Sequence, residues 1–164
     1  MPAELFIPSL MDRLTDENPE ERGRESDPFL QKKREWQSTL VAEIELLLNT
    51  KRAVEEVPEG FKYASESLLT YGVPISTGMS SEAPSTQQML HSAIEAALKR
   101  FEPRLTSIVV TDETPRDERG RPKKGPALRF SVEALMRMEP VDEPIRFETI
   151  LETDRLHFVV NRGA

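Results

Sequence analysis

Apolar residues recur every three or four positions in two long stretches of the chain, which is the spacing of an amphipathic helix. The first stretch begins at Asp27, a good N-cap residue, and continues with Pro28, which suits the first helical position. We expect this helix to end at about Lys51. Its apolar face comprises Phe29, Trp36, Leu40, Ile44, Leu47 and Leu48.

The second helical stretch should begin at a cap formed by Ser85 or Thr86 and end at about Phe101. Pro103 sets that end, because proline lacks a backbone donor and keeps the preceding residue, Glu102, out of the helical region. The apolar face of this helix comprises Leu90, Ile94, Ala97, Leu98 and Phe101.

Beyond the second helix the apolar spacing changes to the alternation that is typical of β-strands. Four strands are expected: Leu105 to Thr111, Ala127 to Met138, Ile145 to Leu151, and Arg155 to Asn161. A long, charged hairpin loop should join the first two strands, and Thr153-Asp154 is a candidate for a tight turn between the last two. The pattern predicts an α+β fold, with two main helices packed on one face of a small, mainly antiparallel four-stranded sheet.

The segment between the helices, residues 50–85, contains several prolines and glycines and a single candidate for a short helix, around Tyr63 to Thr70. A connection of this length needs buried anchors to remain compact. The expected anchors are Phe61, Leu68, Leu69 and Tyr71.

Residues 1–26 have no sustained core pattern, so the expected division is an N-terminal docking segment with an acidic linker, followed by one domain over residues 27–164. The docking segment contains a short apolar turn with Leu10, Met11 and Leu14, which Ser9 can cap. Such a turn on a polar tether suits docking on a partner, although packing on its own domain is an equal alternative.

The amino-acid composition argues against several classes of function. The chain has 29 acidic and 22 basic residues and a formal charge of -7, which argues against a general nucleic-acid-binding surface. It has no cysteine, so disulfides and thiolate chemistry are excluded. The apolar runs are far shorter than the ~20 residues of a membrane helix, and a signal-peptide pattern is absent, so we expect a soluble chain without membrane insertion.

Candidate chemistry is sparse. The two histidines, His91 and His157, belong to different expected elements, so a metal site is not predicted, and neither a cofactor nor a phosphate loop is indicated. Glu102 and Arg104 lie two apart in an expected extended segment and should project to the same side. They could form a docking feature, a catalytic pair or a plain surface ion pair.

Four motifs carry a resemblance to a known family: residues 8–14 (PSLMDRL), 47–52 (LLNTKR), 71–74 (YGVP) and, most specifically, 101–105 (FEPRL). Their types and order resemble TssE, the baseplate subunit of bacterial type VI secretion systems, which is related to a contractile-phage baseplate wedge protein long labelled an acidic lysozyme. The chain departs from the family pattern at Met11, where leucine is frequent, and in its long charged hairpin loop.

The resemblance implies a structural, non-enzymatic role in the bacterial cytoplasm, at a baseplate near the inner membrane. The family would bind the wedge proteins TssF and TssG through Glu102, Pro103 and Arg104, with TssK as a further candidate partner. It would bind the sheath proteins TssB and TssC through an edge strand of its sheet. The resemblance also implies a second wedge anchor in the N-terminal motif, at Leu10, Asp12, Arg13 and Leu14.

The final strand, with Phe158 and Val159, is the expected template for sheath strands, since it is short and lies near the end of the sequence. Arg104 lies beyond the helix and off its apolar face, so its removal is expected to spare the fold. Two alternatives to the baseplate role stay open: a lysozyme-like glycan hydrolase with Glu102 as general acid, and an acidic adaptor without a sheath role.

Overall fold

The computed structural model of the chain describes residues 33–54, 57–75, 83–118, 120, 125, 127–137 and 142–163. Its helices are α1 (Lys33–Asn49), the short α2 (Lys62–Ser65) and α3 (Pro84–Phe101), and a 3-10 turn at Leu68–Thr70 lies between the last two. Its strands are β1 (Leu105–Asp112), β2 (Ala127–Met136), β3 (Glu143–Glu152) and β4 (His157–Arg162).

The strands form one antiparallel sheet in the order β1-β2-β3-β4, so β1 and β4 are its edges. Val132 of β2 pairs with Val110 of β1 and with Phe147 of β3, which places three apolar side chains in a row on one face. The meander and the α+β class predicted from the sequence are therefore confirmed.

Both long helices pack on this apolar face and share one core with it. The core side chains with no more than 1 % exposure include Leu40, Ile44 and Leu48 of α1, Leu90, Ile94 and Leu98 of α3, and Phe130, Phe147 and Phe158 of the sheet. Each such side chain contributes about 1.5–3 kcal/mol by leaving water, so the helical spacing read from the sequence is what holds the layers together.

The ends of several elements differ from the sequence prediction, and the starts of α3 and β4 are two of them. Helix α3 begins at Pro84 with Ala83 as its N-cap, so the expected caps at Ser85 and Thr86 are wrong; proline at the first position supplies the helical φ without a side-chain cap. Strand β4 begins two residues later than expected, because residues 153–156 form a turn that ends with Leu156 at φ 51°. The expected start of α1 at Asp27 lies outside the described residues.

The connection between the long helices is anchored differently from the sequence prediction. Phe61, Leu68 and Leu69 are 63 %, 78 % and 46 % exposed, so three of the four expected anchors are wrong. The segment is instead fastened at its end, where Val73 is buried and forms a parallel bridge with Lys51. Of the expected anchors, Tyr71 packs against the core.

Gly72 makes this closure possible. Its φ is +100°, and a Cβ built on it would lie 2.0 Å from the carbonyl oxygen of Thr50. Glycine is therefore required twice over, for the backbone conformation and for the close approach of two chain segments.

Candidate partner-binding site

The three residues Glu102, Pro103 and Arg104, which we call the corner, form a tight turn between α3 and β1 where the sequence suggested an extended segment. The backbone N–H of Leu105 donates to the carbonyl of Glu102 at 3.1 Å, and Pro103 takes the second position of the turn, which its fixed φ favours. The N–H of Glu102 donates to the carbonyl of Leu98 at 3.0 Å, so the corner is attached to the last turn of α3.

Within this turn the side chains of Glu102 and Arg104 meet, as the sequence predicts. Arg104 donates from Nε to Oε1 of Glu102 and from Nη2 to Oε2 of Glu102, each at 2.5 Å. Nη2 of Arg104 also donates to Oε2 of Glu43 on α1. Two parallel bonds to one carboxylate are the strong form of an arginine pair, and the third bond connects the corner to the other helix.

Burial makes this ion pair matter to the fold. The side chain of Glu102 is 6 % exposed and that of Arg104 is 24 % exposed. Burial alone would lower the pKa of Arg104, but the hydrogen bonds and charges of Glu102 and then Glu43 outweigh it and raise that pKa. Removing Arg104 would leave a buried carboxylate without its cation, so the expectation that its loss spares the fold is revised.

Three aromatic side chains complete the surroundings of the corner. The guanidinium carbon of Arg104 lies 5.9 Å from the ring centroid of Trp36 on α1. Tyr71 packs edge-on against Phe101, with ring centroids 5.0 Å apart. Burial, followed by the charges of Glu102 and Glu43, raises the pKa of the Tyr71 hydroxyl. The corner therefore joins α1, α3, β1 and the connection before α3.

Sequence reasoning missed Glu43. A signal was present: Glu43 lies three residues after Leu40 and seven after Trp36, which places a carboxylate beside the apolar stripe of α1. A charge in that position needs a partner, but the spacing does not say that the partner is Arg104.

Two of the sequence motifs also meet in space. Residues 47–52 and 71–74 are joined by the bridge between Lys51 and Val73 and by a 2.9 Å hydrogen bond from Nε of Arg52 to the carbonyl of Gly72. These motifs therefore close the connection at its base, next to the end of α3.

In the corner, Glu102 is the direct ion-pair partner of Arg104. Both of its carboxylate oxygens accept hydrogen bonds from Arg104, an arrangement that is typical of a structural ion pair. The nearby carboxylate of Glu43 binds the same guanidinium and does not stand across a cleft from Glu102. In the described part of the chain, no group of three acidic or histidine side chains could hold a metal ion.

At the β4 edge, side chains of α1 occupy the outward-facing backbone. Asn49 donates from Nδ2 to the carbonyl of Phe158 and accepts at Oδ1 from the N–H of Phe158, both at 2.8 Å. Oε2 of Glu45 accepts from the N–H of Val160 at 2.9 Å. Because successive residues of a strand face opposite ways, the N–H of Val159 points inward to β3.

At the β1 edge, α3 supplies His91, whose Nε2–H donates to the carbonyl of Val110 at 2.8 Å. The pairing of β1 with β2 shifts register between Thr106 and Val109, where Ser107 has a φ of 52°. This bulge bends the start of the strand just after the corner.

The structure places the sequence-predicted site residues in separate regions. The corner lies at one end of β1, while Phe158 and Val159 lie on the opposite edge strand, Phe158 buried in the core and Val159 partly exposed. The N-terminal candidates Leu10, Asp12, Arg13 and Leu14 lie outside the described residues.

Comparison with known proteins identifies the family. No curated protein and no solved structure matches the chain. None of the helices in the described ranges is long and apolar enough to cross a membrane. The family described as baseplate wedge protein gp25 matches residues 35–141, about two thirds of the chain, from α1 through β2 and including the corner. The chain therefore belongs to the gp25 family of baseplate wedge proteins.

Proposed function

We propose that the chain is a non-enzymatic baseplate subunit of a bacterial type VI secretion system, which links the wedge to the contractile sheath and provides a template for sheath assembly. The observation that carries the proposal is the family match over residues 35–141, joined by the ordered TssE-like motifs around the corner. The subunit would work in the bacterial cytoplasm, at a baseplate near the inner membrane.

The corner is the proposed contact with the wedge proteins TssF and TssG. Pro103 is exposed, and the side chains of Arg104 and Glu43 are 24 % and 30 % exposed. No described residue accepts a hydrogen bond from Nη1 of Arg104, whose Nε and Nη2 are both occupied. A guanidinium already fixed by two carboxylates can present its remaining N–H groups to a carbonyl or carboxylate of the wedge at little further cost in side-chain entropy.

The β4 edge is the proposed contact with the sheath proteins TssB and TssC. An added strand would hydrogen-bond to the outward-facing groups of Phe158 and Val160, which Asn49 and Glu45 now occupy. The amide of Asn49 gives one hydrogen bond to Phe158 and accepts one from it, as a peptide group would, so an incoming backbone could replace it bond for bond. Strand addition at β4 would therefore proceed by exchange.

A wedge-binding experiment can test the corner. We would co-purify TssF and TssG with the wild-type chain and with Arg104→Lys, which keeps the charge but cannot both pair with Glu102 in two places and present further N–H groups. Loss of an interfacial charged contact of this kind costs ~2 to 5 kcal/mol, so we expect recovery of the complex to fall at least about tenfold. Arg155→Lys is the matched control, because Arg155 is highly exposed and distant in sequence.

The outcome has meaning only for folded protein, so the far-ultraviolet circular dichroism of both variants must match the wild type. Equal recovery of TssF and TssG with the folded Arg104→Lys variant would remove the corner from the wedge interface. If the wild-type chain recovers TssF and TssG but has no effect on sheath assembly, the alternative of an adaptor without a sheath role is favoured.

Sheath templating has its own test. The N–H of Gly163 donates inward to Arg146, so alternation places the N–H of Arg162 on the outer side of β4. Arg162→Pro removes that outward donor, whereas Arg162→Ala keeps it. We expect sheath assembly to be lost in the proline variant and kept in the alanine variant, while both still bind the wedge. Sheath assembly by both variants would exclude this end of β4 as the template.

A further inference from the structure

A shallow apolar groove lies beside the corner, between the 3-10 turn and the C-terminal end of α3. Leu68 and Leu69 line one wall, Phe101 and Arg100 line the other, and Ala53 and Glu66 complete the lining. Leu68 is the most exposed of these apolar side chains, at 78 %. Exposed apolar residues are ordinary when scattered, but several that line one concave surface mark an interaction site.

Arg100 lines the groove, and Arg52 immediately precedes Ala53, another of its lining residues, so positive charge lies at this side of the groove. The guanidinium carbon of Arg100 lies 5.2 Å from the ring centroid of Phe101, and Arg52 donates to the carbonyl of Gly72 at the base of the connection. Burial and then the charge of Arg100 lower the pKa of Arg52, as expected for two cations held near each other. Across the described ranges, neither arginine forms an ion pair with a carboxylate.

The C-terminus of α3 and the ring of Phe101 explain why a cation sits at position 100. The hydrogen bond to the carbonyl of Gly72 explains a donor at position 52 but not a full positive charge near Arg100 in a chain with a net charge of -7. Among the described residues no carboxylate pairs with these two cations, so they repel each other, and an incoming carboxylate would relieve that repulsion. Glu66 also lines the groove, but none of the ion pairs in the described ranges joins it to either arginine.

The groove is built on a fixed backbone. Oγ of Ser67 accepts from the N–H of Leu69 at 3.2 Å, and Oγ1 of Thr70 donates to the carbonyls of Ser65 and Ser67 at 3.1 and 3.0 Å. Thr70 itself is buried. A wall held in this way loses little conformational entropy when a ligand binds.

We propose that this groove binds an amphipathic segment of another protein subunit, one that places an apolar side chain between Leu68, Leu69 and Phe101 and a carboxylate against Arg52 and Arg100. Charge complementarity selects this occupant: a purely apolar segment would leave the two cations unpaired. The surface is distinct from the proposed Arg104 contact, and the proposal holds whichever complex the subunit joins.

Site-specific crosslinking in the native bacterium tests the occupant. The photoreactive residue p-benzoyl-phenylalanine would replace Glu66, which lines the groove, and in a matched control would replace Leu46, which is 65 % exposed on α1. We expect position 66 to crosslink to one segment of another subunit, and mass spectrometry should show apolar residues with Asp or Glu one helical turn away. Position 46 should not capture that segment.

Two second-site variants then test the chemistry. Leu68→Ser and Arg100→Gln change exposed side chains, and each should lower the crosslink yield at position 66 by about tenfold, which is 1.4 kcal/mol of binding. Arg155→Gln should leave the yield unchanged. A synthetic peptide of the captured segment should bind the full chain, and replacement of its acidic residues by Asn or Gln should weaken that binding by a similar factor.

Several results would overturn the proposal. They are no crosslink at position 66, a crosslink to residues 1–32 of the same chain, a crosslink to a second copy, or a captured segment without acidic residues. A crosslink to an acidic, apolar segment of a protein other than TssF, TssG, TssB, TssC and TssK would support the groove and count against the proposed secretion role, so the two proposals can fail separately.

Discussion

The two edges of the sheet are closed to other strands by different means. At β4, side chains of α1 bind the backbone directly: Asn49 binds both polar groups of Phe158, and Glu45 binds the N–H of Val160. At β1, His91 of α3 binds one carbonyl, and a bulge at Ser107 distorts the strand beside the corner.

The difference shows two ways of avoiding edge-to-edge association. A bulge is permanent, because the backbone itself is irregular. A side chain that imitates a neighbouring strand can be displaced, and the edge beneath it is regular. The regular edge at β4 is therefore the better acceptor for an added strand, while the β1 side is better suited to fixed contacts such as the ion pairs of the corner.

The largest effect is expected at the corner, on the β1 side. Arg104→Ala leaves Glu102, with a side chain only 6 % exposed, without its cation, and should lower the free energy of unfolding by about 3–5 kcal/mol. Guanidinium chloride denaturation measures this change. The double variant Glu102→Gln with Arg104→Ala removes both charges and should recover part of the loss. A loss below about 1 kcal/mol in Arg104→Ala would show that the pair does not hold the corner.

The next effect separates the two edges directly. Asn49→Ala removes two hydrogen bonds from Phe158 and should cost about 1–3 kcal/mol, whereas His91→Ala removes one and should cost about 0.5–1.5 kcal/mol. The amide of Phe158 should also exchange faster with deuterium in Asn49→Ala. Sedimentation should detect concentration-dependent association of Asn49→Ala and not of His91→Ala. Equal stability losses and equal association of the two variants would show that the β1 and β4 edges are not protected by different means.

A smaller effect distinguishes the two sides of β4 itself. Asn161 and Arg162 are both exposed neighbours, and alternation directs the N–H of Asn161 to β3 and that of Arg162 outward. Asn161→Pro should therefore destabilise the chain by about 1 kcal/mol more than Arg162→Pro, in line with one ladder hydrogen bond. Thermal unfolding gives the comparison. A larger stability loss in Arg162→Pro than in Asn161→Pro would mean that the pairing of β4 with β3 is shifted by one residue.

The smallest effect concerns alkaline pH and again belongs to the β1 side. The pKa of Tyr71 is raised above its ordinary value of 10.0 in the folded chain. The folded state then holds the phenol proton more tightly than the unfolded state, so stability is lost as the pH rises past that value. Tyr71→Phe should show a shallower decline in the denaturation midpoint between pH 9 and pH 11. Identical slopes would mean that Tyr71 does not sense the corner.

Local spacing was sufficient to predict the layers of the fold. The stripes with Leu40 and Ile44 in α1 and with Leu90 and Ile94 in α3 are buried as predicted, because helical periodicity decides which side chains meet the sheet. The end of α3 at Phe101 was also predicted, because proline acts on its immediate neighbours, whereas the turn that follows was not.

Contacts between distant parts of the chain could not be predicted in this way. Glu43 and Arg104 are 61 residues apart in sequence, and Asn49 and Phe158 are 109 apart. Periodicity describes one element at a time and does not say which polar side chain of a helix reaches which strand. The prediction of Phe61 and Leu68 as anchors failed for another reason. An apolar residue need not be buried, and in this segment the buried apolar residue is Val73.

Gly72 bears on how this chain can tolerate insertions and deletions. Gly72 approaches Thr50 closely, and Lys51 forms a bridge with Val73. These contacts hold together the two ends of the segment 51–73. Since lengthening a flexible loop costs only about 0.6 kcal/mol for each doubling, residues could be added within the exposed stretch near Phe61 without moving either long helix. A side chain at position 72 would instead separate the ends. The lack of a side chain at Gly72 thus allows the connecting segment to vary in length while the two long helices and the sheet keep their arrangement.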